Sequence, residues 1–126
     1  MVVFDSSAVI ALLQREPGAA FVASRLPEAI ISAVNVQEIA KKLIEAGTAE
    51  TDIRTTIAGL QLDIRPHDIG DAYQAASLAT ATRQFGRGLG DRSCMALAIK
   101  LGVPAITTDR AWARIEVPGL EVILAR

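Results

Sequence analysis

The sequence predicts an α/β protein with a mostly parallel central sheet of about five short strands and helices on both faces. Two observations favour this class. Short apolar segments alternate along the whole chain with segments of helical length and pattern, as in sheets whose parallel strands are connected by helices. The chain has 126 residues and contains no repeat, low-complexity tract or linker, so we expect one domain over residues 1–126.

Five apolar segments are predicted as strands, at residues 2–4, 29–31, 62–64, 105–107 and 121–124. Helical patterns fill the gaps, at residues 8–13, 18–26, 33–46, 51–60, 68–85 and 92–101. Ser32 is an N-cap candidate before the third helix, and Gly47 and Gly86 follow predicted helix ends. The first helix is expected to end near Gln14.

The composition is that of a compact protein without a strong overall field. Hydrophobic residues make up 51% of the chain, and the mean hydropathy is +0.33. The formal net charge is −1, so a polyanionic partner would have to be met by a local basic patch. A single cysteine, Cys94, allows no intramolecular disulfide, which suits a reducing compartment. No signal-peptide pattern and no long apolar span is present, so we expect a soluble, cytoplasmic protein that does not enter a membrane.

Four acidic residues are expected at one edge of the sheet. Asp5 follows the first strand directly, and Asp109 follows the strand at 105–107. Asp91 stands at the start of a helix, and Glu38 falls in the second turn of the helix that begins after Ser32. Ligand sites of parallel sheets lie outside the carboxyl ends of the strands, so these four side chains are candidates for one site.

Each acidic residue also has an ordinary structural explanation. Asp5 and Asp91 could cap helices, and Asp109 could be a turn residue. Glu38 could pair with Lys41 or Lys42 on the surface of its helix. As a group, however, four neighbouring carboxylates repel one another, and a hard divalent cation would remove that repulsion. A site with only oxygen ligands favours Mg²⁺, with Mn²⁺ as a substitute, over zinc.

Four segments of the chain resemble PIN-domain proteins, specifically the VapC-type toxins of bacterial toxin–antitoxin systems. They are "VVFDSSAVIALL", "ISAVNVQE", "GDRSCMALAIKLGVP" and "TTDRAW", and together they span nearly the whole chain in the order of that family. Between the preceding helix and Asp91 the family usually has more residues; here the stretch "GRGLGD", which ends at Asp91, is short and rich in glycine.

The resemblance implies a PIN-like fold and a Mg²⁺-dependent endoribonuclease. By resemblance, the catalytic metal-site residues are Asp5, Glu38, Asp91 and Asp109, and the supporting hydroxyls are those of Ser7 and Thr107. The resemblance also implies a small VapB-like antitoxin, whose tail covers the acidic groove, and a homodimer.

The implied chemistry is hydrolysis of an RNA phosphodiester by a metal-activated water, which needs no side-chain nucleophile. His67 is interpreted as a loop or cap residue, and Cys94 as a small core residue. RNA would be held by basic side chains, and the candidates are Arg83, Arg87, Arg92, Arg110 and Arg114. The same arginines could equally be ordinary surface residues near helix ends. Aromatic residues make up only 4% of the chain, which argues against a base-stacking platform.

Three other classes share some of these features. A phosphatase of the haloacid-dehalogenase kind would carry a second Asp two residues after Asp5, where Ser7 stands. A response-regulator receiver would need a phosphoacceptor Asp after a middle strand and a late Lys, and neither is found at the expected place. The third alternative is a PIN-like RNA-binding or regulatory module that does not cleave. Four retained, mutually repelling carboxylates argue against it.

Overall fold

The computed structural model describes every residue from Met1 to Arg126. Its centre is a five-stranded sheet in which every neighbouring pair of strands is parallel. The strands are β1 (Val2–Phe4), β2 (Ala29–Ser32), β3 (Asp63–Arg65), β4 (Ala105–Thr107) and β5 (Val122–Leu124), in the spatial order β3-β2-β1-β4-β5. The predicted α/β class is confirmed, and the strands lie within one residue of their predicted bounds.

Strand β1 occupies the middle of the sheet. Val3 is in register with Ile30 of β2 on one side and with Ala105 of β4 on the other. Side chains of β1 therefore meet helices on both faces, which explains why the strand is continuously apolar rather than alternating. The order of the strands places the carboxyl ends of β1 and β4 side by side.

Six helices connect the strands: α1 (Ser6–Gln14), α2 (Ala19–Arg25), α3 (Ala33–Glu45), α4 (Glu50–Gly59), α5 (Ile69–Ala76) and α6 (Leu89–Leu101). Two short 3-10 turns, Leu26–Glu28 and Arg110–Arg114, precede β2 and follow β4. None of the helices combines the length and the apolar character that crossing a membrane requires.

The core is divided by the sheet into two apolar clusters. On one face, Val2 and Phe4 of β1 pack with residues of α1 and with Ile39 of α3. On the other face, Val3 packs with Cys94 and other residues of α6, together with Trp112. Helices thus cover both faces, as predicted, and Cys94 is the core residue that was expected.

Two helix predictions were wrong at one end. The helix predicted at 68–85 ends at Ala76, and turns follow it. The backbone tightens there, because the N–H groups of Leu78 and Ala79 donate to carbonyls only three residues back, while Ser77 Oγ and Thr82 Oγ1 donate to the carbonyls of Gln74 and Leu78. The helix predicted at 92–101 begins three residues earlier, at Leu89, so Asp91 lies inside its first turn.

Candidate metal centre

The four predicted acidic residues line one pocket. Its volume is about 180 Å³, and the side chains around it belong to Asp5, Ser6, Ser7, Ile10, Glu38, Lys42, Asp91 and Asp109. Asp5 follows β1 and Asp109 comes two residues after β4, while Glu38 and Asp91 are brought in by the N-terminal halves of α3 and α6. The fold therefore brings together four residues that are as much as 104 positions apart in the chain (109 − 5).

Asp5 is the most deeply placed of the four, with only 4% of its surface exposed. Its Oδ2 accepts hydrogen bonds from Ser7 Oγ at 2.7 Å and from Thr107 Oγ1 at 2.9 Å. Its side chain makes no capping hydrogen bond to α1, although it occupies the N-cap position. Capping therefore does not explain this carboxylate.

The two hydroxyl groups that were expected to support the acids are oriented by the backbone. Ser7 Oγ accepts from the N–H of Thr108 at 3.0 Å, and Thr107 Oγ1 accepts from the N–H of Asp109 at 3.1 Å. Since each hydroxyl already accepts a hydrogen bond, its own proton is available to donate toward Asp5. Ser7 and Thr107 thus fix one oxygen of Asp5 in place.

Glu38 is half-buried and is held by two residues that the sequence analysis did not identify. Its Oε1 accepts hydrogen bonds from Ser6 Oγ and from Asn35 Nδ2, the latter at 2.9 Å. The alternative of a surface pair with Lys41 or Lys42 is wrong, because neither lysine forms an ion pair with Glu38 and Lys41 instead faces Glu45 at 3.9 Å. The only sequence signals were the position of Ser6 next to Asp5 and the spacing of Asn35, one helical turn before Glu38.

Asp91 and Asp109 combine capping with a place in the pocket. Asp91 Oδ2 accepts from the N–H of Gly88 at 3.1 Å, and Asp109 Oδ1 accepts from the N–H of Ala111 at 3.0 Å. The ordinary explanation given above therefore holds for both residues. It accounts for only one of the two oxygens in each carboxylate.

One arrangement is common to all four carboxylates. Each has one oxygen that accepts hydrogen bonds from the protein and one that accepts none. The oxygens without a protein donor are Asp5 Oδ1, Glu38 Oε2, Asp91 Oδ1 and Asp109 Oδ2. None of the four residues takes part in any of the ion pairs of the structure.

This donor set fits a hard divalent cation such as Mg²⁺ or Mn²⁺, because it offers carboxylate oxygens that are fixed in position and carry uncompensated charge. No three acidic, histidine or cysteine side chains lie close enough together to form a complete set of metal ligands as they stand. Mg²⁺ does not require such a cage, since it commonly keeps several waters and binds through one or two carboxylates.

Burial and mutual repulsion raise the pKa values of Asp5 and Asp91. The pKa of Asp5 is raised to about 6, mainly by burial and also by the charges of Asp91 and Glu38, while the hydrogen bonds from Ser7 and Thr107 act in the opposite direction. The pKa of Asp91 is also raised, mainly by burial and then by Glu38 and Asp109. Without a cation, the charged state of this pocket is unfavourable.

The candidate RNA-binding arginines do not form a single group. Arg83 and Arg114 line one depression of about 270 Å³, where the guanidinium of Arg114 lies 5.5 Å from the ring centre of Phe85. Arg92 instead donates to the backbone carbonyl of Arg87 and so fixes the loop before α6. Arg110 is exposed beside Asp109. A role of these residues in RNA binding stays a prediction.

His67 and Cys94, which the sequence did not favour as catalytic residues, do not line the pocket. Cys94 is fully buried beneath it, and burial raises the pKa of its thiol well above the ordinary range. The thiol therefore stays protonated near neutral pH.

Fold and site together define a class: an α/β protein with a parallel sheet whose carboxyl edge presents a pocket of four unpaired carboxylates. The chain belongs to the PIN domain family, since the sequence model of the PIN domain matches residues 2–118. The family resemblance seen in the sequence is thereby confirmed. No curated protein matches the chain at a significant level of sequence similarity.

Several solved structures share the fold over nearly the full length. A toxin–antitoxin complex from Klebsiella pneumoniae contains a chain with a TM-score of 0.74 and 19% identity, and the match covers 100% of this chain and 98% of that one. For VapBC2 from Rickettsia felis, bound to a DNA fragment from its promoter, the TM-score is 0.73 and the identity 15%, with 98% of each chain covered. For DNA-bound VapBC from Salmonella typhimurium, the TM-score is 0.70 and the identity 15%, and the match covers 99% of this chain and 98% of that one. At these identities the similarity establishes the fold.

Proposed function

We propose that this protein is a Mg²⁺-dependent endoribonuclease that serves as the toxin of a toxin–antitoxin pair. PIN domains are in general nucleases, and the chain matches that family over residues 2–118. The observation that carries the proposal is the pocket itself, where four carboxylates each keep one oxygen without a protein donor and none is ion-paired. A protein selected only for stability has no use for such a cluster, because its charges repel one another.

The chain's own residues would hold the metal through the four free oxygens. When bound, Mg²⁺ supplies positive charge that activates water and neutralises the scissile phosphate. Ser7 and Thr107 keep Asp5 in one orientation, so its Oδ1 faces a ligand without side-chain reorganisation. Asn35 and Ser6 do the same for Glu38. The hydroxyl of Ser7 is engaged with Asp5 and Thr108, so it is a supporting group rather than a nucleophile.

Recognition of RNA is proposed to depend on exposed arginines. The overall charge of −1 gives no general attraction for a polyanion, so the contacts must be local. Arg83 and Arg114 are the strongest candidates, because they share a depression and neither is ion-paired. Arg92 is a weaker candidate, since its guanidinium binds the carbonyl of Arg87.

The proposed partner is a small antitoxin of the VapB type. The chains with the same fold come from structures described as toxin–antitoxin complexes, some of them bound to DNA. A basic antitoxin segment entering the acidic pocket would be electrostatically complementary to it. We also propose that the protein forms a homodimer, as the sequence resemblance implies.

Cleavage of RNA by the purified protein tests the proposed activity. We expect cleavage that requires Mg²⁺ or Mn²⁺, stops with a chelator and is lost in Asp5→Asn. The matched control is Asp52→Asn, which changes an exposed acid without an ion pair on α4 and is expected to stay active. An Asp5→Asn protein that cleaves like the wild type would overturn the proposal. Metal-dependent RNA binding without cleavage by the wild type would favour the non-cleaving module instead.

A further inference from the structure

Asn35 holds Glu38 from behind the pocket, and it also reaches a neighbouring helix. It is the only asparagine of the chain and is completely buried on α3. Its Nδ2 lies 2.9 Å from Glu38 Oε1, 3.0 Å from the carbonyl oxygen of Gly90 and 3.1 Å from Ser6 Oγ. One side-chain amide thus contacts α1, α3 and α6.

The surroundings determine which way this amide points. The Glu38 carboxylate and the Gly90 carbonyl can only accept hydrogen bonds, so the NH₂ group must face them and the amide oxygen must face away. The two N–H groups suffice for these two acceptors, while Ser6 donates its own proton to Glu38. The amide oxygen is then left buried without a partner. A buried unpaired acceptor is destabilising, so stability alone does not account for this residue.

The contact with Gly90 couples Glu38 to the neighbouring acid. A Cβ atom built on Gly90 would overlap with the carboxylate of Glu38, so that carboxylate rests directly on the first turn of α6. Asp91 is the next residue. The hydrogen bond from Asn35 to the Gly90 carbonyl therefore fixes α3 against α6 at the point where two of the proposed ligands meet.

We infer that Asn35 is a positioning residue: it binds Glu38 Oε1 and the Gly90 carbonyl with its two N–H groups and thereby sets Glu38 Oε2 beside Asp91 for a divalent cation. The metal part of this inference rests on the proposed function. The bridge between Glu38 and Gly90 does not, and it can be tested without metal.

The bridge is tested by NMR on protein labelled with ¹⁵N at asparagine only, which gives a single side-chain NH₂ pair. In the metal-free wild type we expect this pair to exchange with solvent at least tenfold more slowly than a free asparagine amide, because both hydrogens are buried and bonded. In Glu38→Gln we expect the pair to shift and to exchange faster. Fast exchange in the wild type, or a pair unchanged by Glu38→Gln, would overturn the inference whether or not the protein is a nuclease.

The metal part is tested by calorimetric titration with Mg²⁺. We expect Asn35→Ala to weaken binding by about tenfold, the usual effect of removing a group that orients a ligand. Asn35→Thr keeps one donor and a similar volume, so it is expected to fold and to lose less affinity. The control is Gln37→Ala, an exposed amide on the same helix, which should bind like the wild type.

A double variant separates positioning from general destabilisation. If Asn35 acts through Glu38, then Asn35→Thr combined with Glu38→Gln should bind Mg²⁺ no more weakly than Glu38→Gln alone. If the two substitutions reduced the Mg²⁺ affinity independently, so that their effects multiplied in the double variant, the inference would be contradicted. Wild-type Mg²⁺ affinity in both single variants, Asn35→Thr and Asn35→Ala, would contradict it as well. Absence of Mg²⁺ binding in the wild type would overturn the proposed function and with it the metal part, while the NMR result on the bridge would still stand.

Discussion

Asp5 shows how single residues can be arranged against stability. Its carboxylate is buried behind two hydroxyl groups that bind only one of its oxygens. These hydrogen bonds lower its pKa, but burial and the neighbouring acids outweigh them and place it at about 6. At neutral pH the protein therefore holds a charge that a bound cation would stabilise.

This raised pKa predicts how stability depends on pH in the absence of metal. The pKa of Asp5 is about 6 in the folded state and near 3.8 in the unfolded chain, so the folded state binds the proton more tightly. The associated stability is present below about pH 4 and is lost as pH rises through about 6, a change of about 3 kcal/mol for this group. Urea unfolding with a chelator present should show this fall in the wild type.

Asp5→Asn provides the comparison, because it removes the titrating group at nearly constant shape. Its free energy of unfolding should fall less over the same pH range, and near pH 7 the variant should be at least as stable as the wild type without metal. Parallel pH profiles of the two proteins would show that Asp5 is not buried and charged as described.

The elements that hold the site differ in how far the sequence predicts them. Strands β1 and β4 could be predicted because strands buried on both faces are continuously apolar. The early end of α5 could not be predicted, since the change to bonds three residues back at Leu78 and Ala79 has no clear signal in an otherwise helical pattern. The early start of α6 could not be predicted either. Leu89 and Gly90 belong to the helix because the Asp91 side chain accepts a hydrogen bond from the N–H of Gly88 and so caps the helix three residues before Asp91.

The first turn of α6 gives a prediction about Gly90. Alanine here would place a methyl group on the carboxylate of Glu38, which Ser6 and Asn35 hold in position, so Glu38 must move. We expect Gly90→Ala to weaken Mg²⁺ binding by about tenfold. The fold should survive, because alanine favours a helix over glycine by about 1 kcal/mol.

Gly59→Ala is the matched control for this change. Gly59 also lies in a helix, and a methyl group there meets nothing within 4 Å. Calorimetry should find wild-type Mg²⁺ affinity in Gly59→Ala and reduced affinity in Gly90→Ala. Equal affinities in the two variants would mean that Glu38 does not contribute to the site from its observed position.

The loop between α5 and α6 and the 3-10 turn after β4 give a prediction about RNA. If Arg83 and Arg114 bind phosphates, replacing each by Ala should weaken binding for all sequences alike. The log–log salt dependence should flatten by about 0.9 per lost contact on a duplex and about 0.7 on a single strand. Arg54→Ala, on the exposed face of α4, is the control. A wild-type salt slope in the Arg83→Ala/Arg114→Ala protein would mean that these two arginines do not contact the RNA, which then binds elsewhere on the surface.

At the scale of the whole molecule, topology assembles the site. Asp5, Glu38, Asp91 and Asp109 are separated by 33, 53 and 18 positions, and only the shared edge of a parallel sheet brings them to one pocket. Because carboxyl ends of parallel strands lie at one edge, this convergence could be predicted from the order of strands and helices. The side chains that orient Glu38 could be predicted only in part: Asn35 lies one helical turn before Glu38 on the same helix, whereas Ser6 becomes its neighbour only through tertiary packing.

Calorimetric titration of the metal-free protein with Mg²⁺, together with its melting temperature, tests the central claim most directly. We expect Mg²⁺ to bind and to raise the melting temperature with concentration, because the cation binds the folded pocket and relieves the repulsion among its carboxylates. Asp5→Asn and Asp91→Asn should weaken both effects, and Asp52→Asn should leave them unchanged. If the wild type shows neither heat of binding nor a shift in melting temperature at millimolar Mg²⁺ or Mn²⁺, the four carboxylates do not form a metal centre.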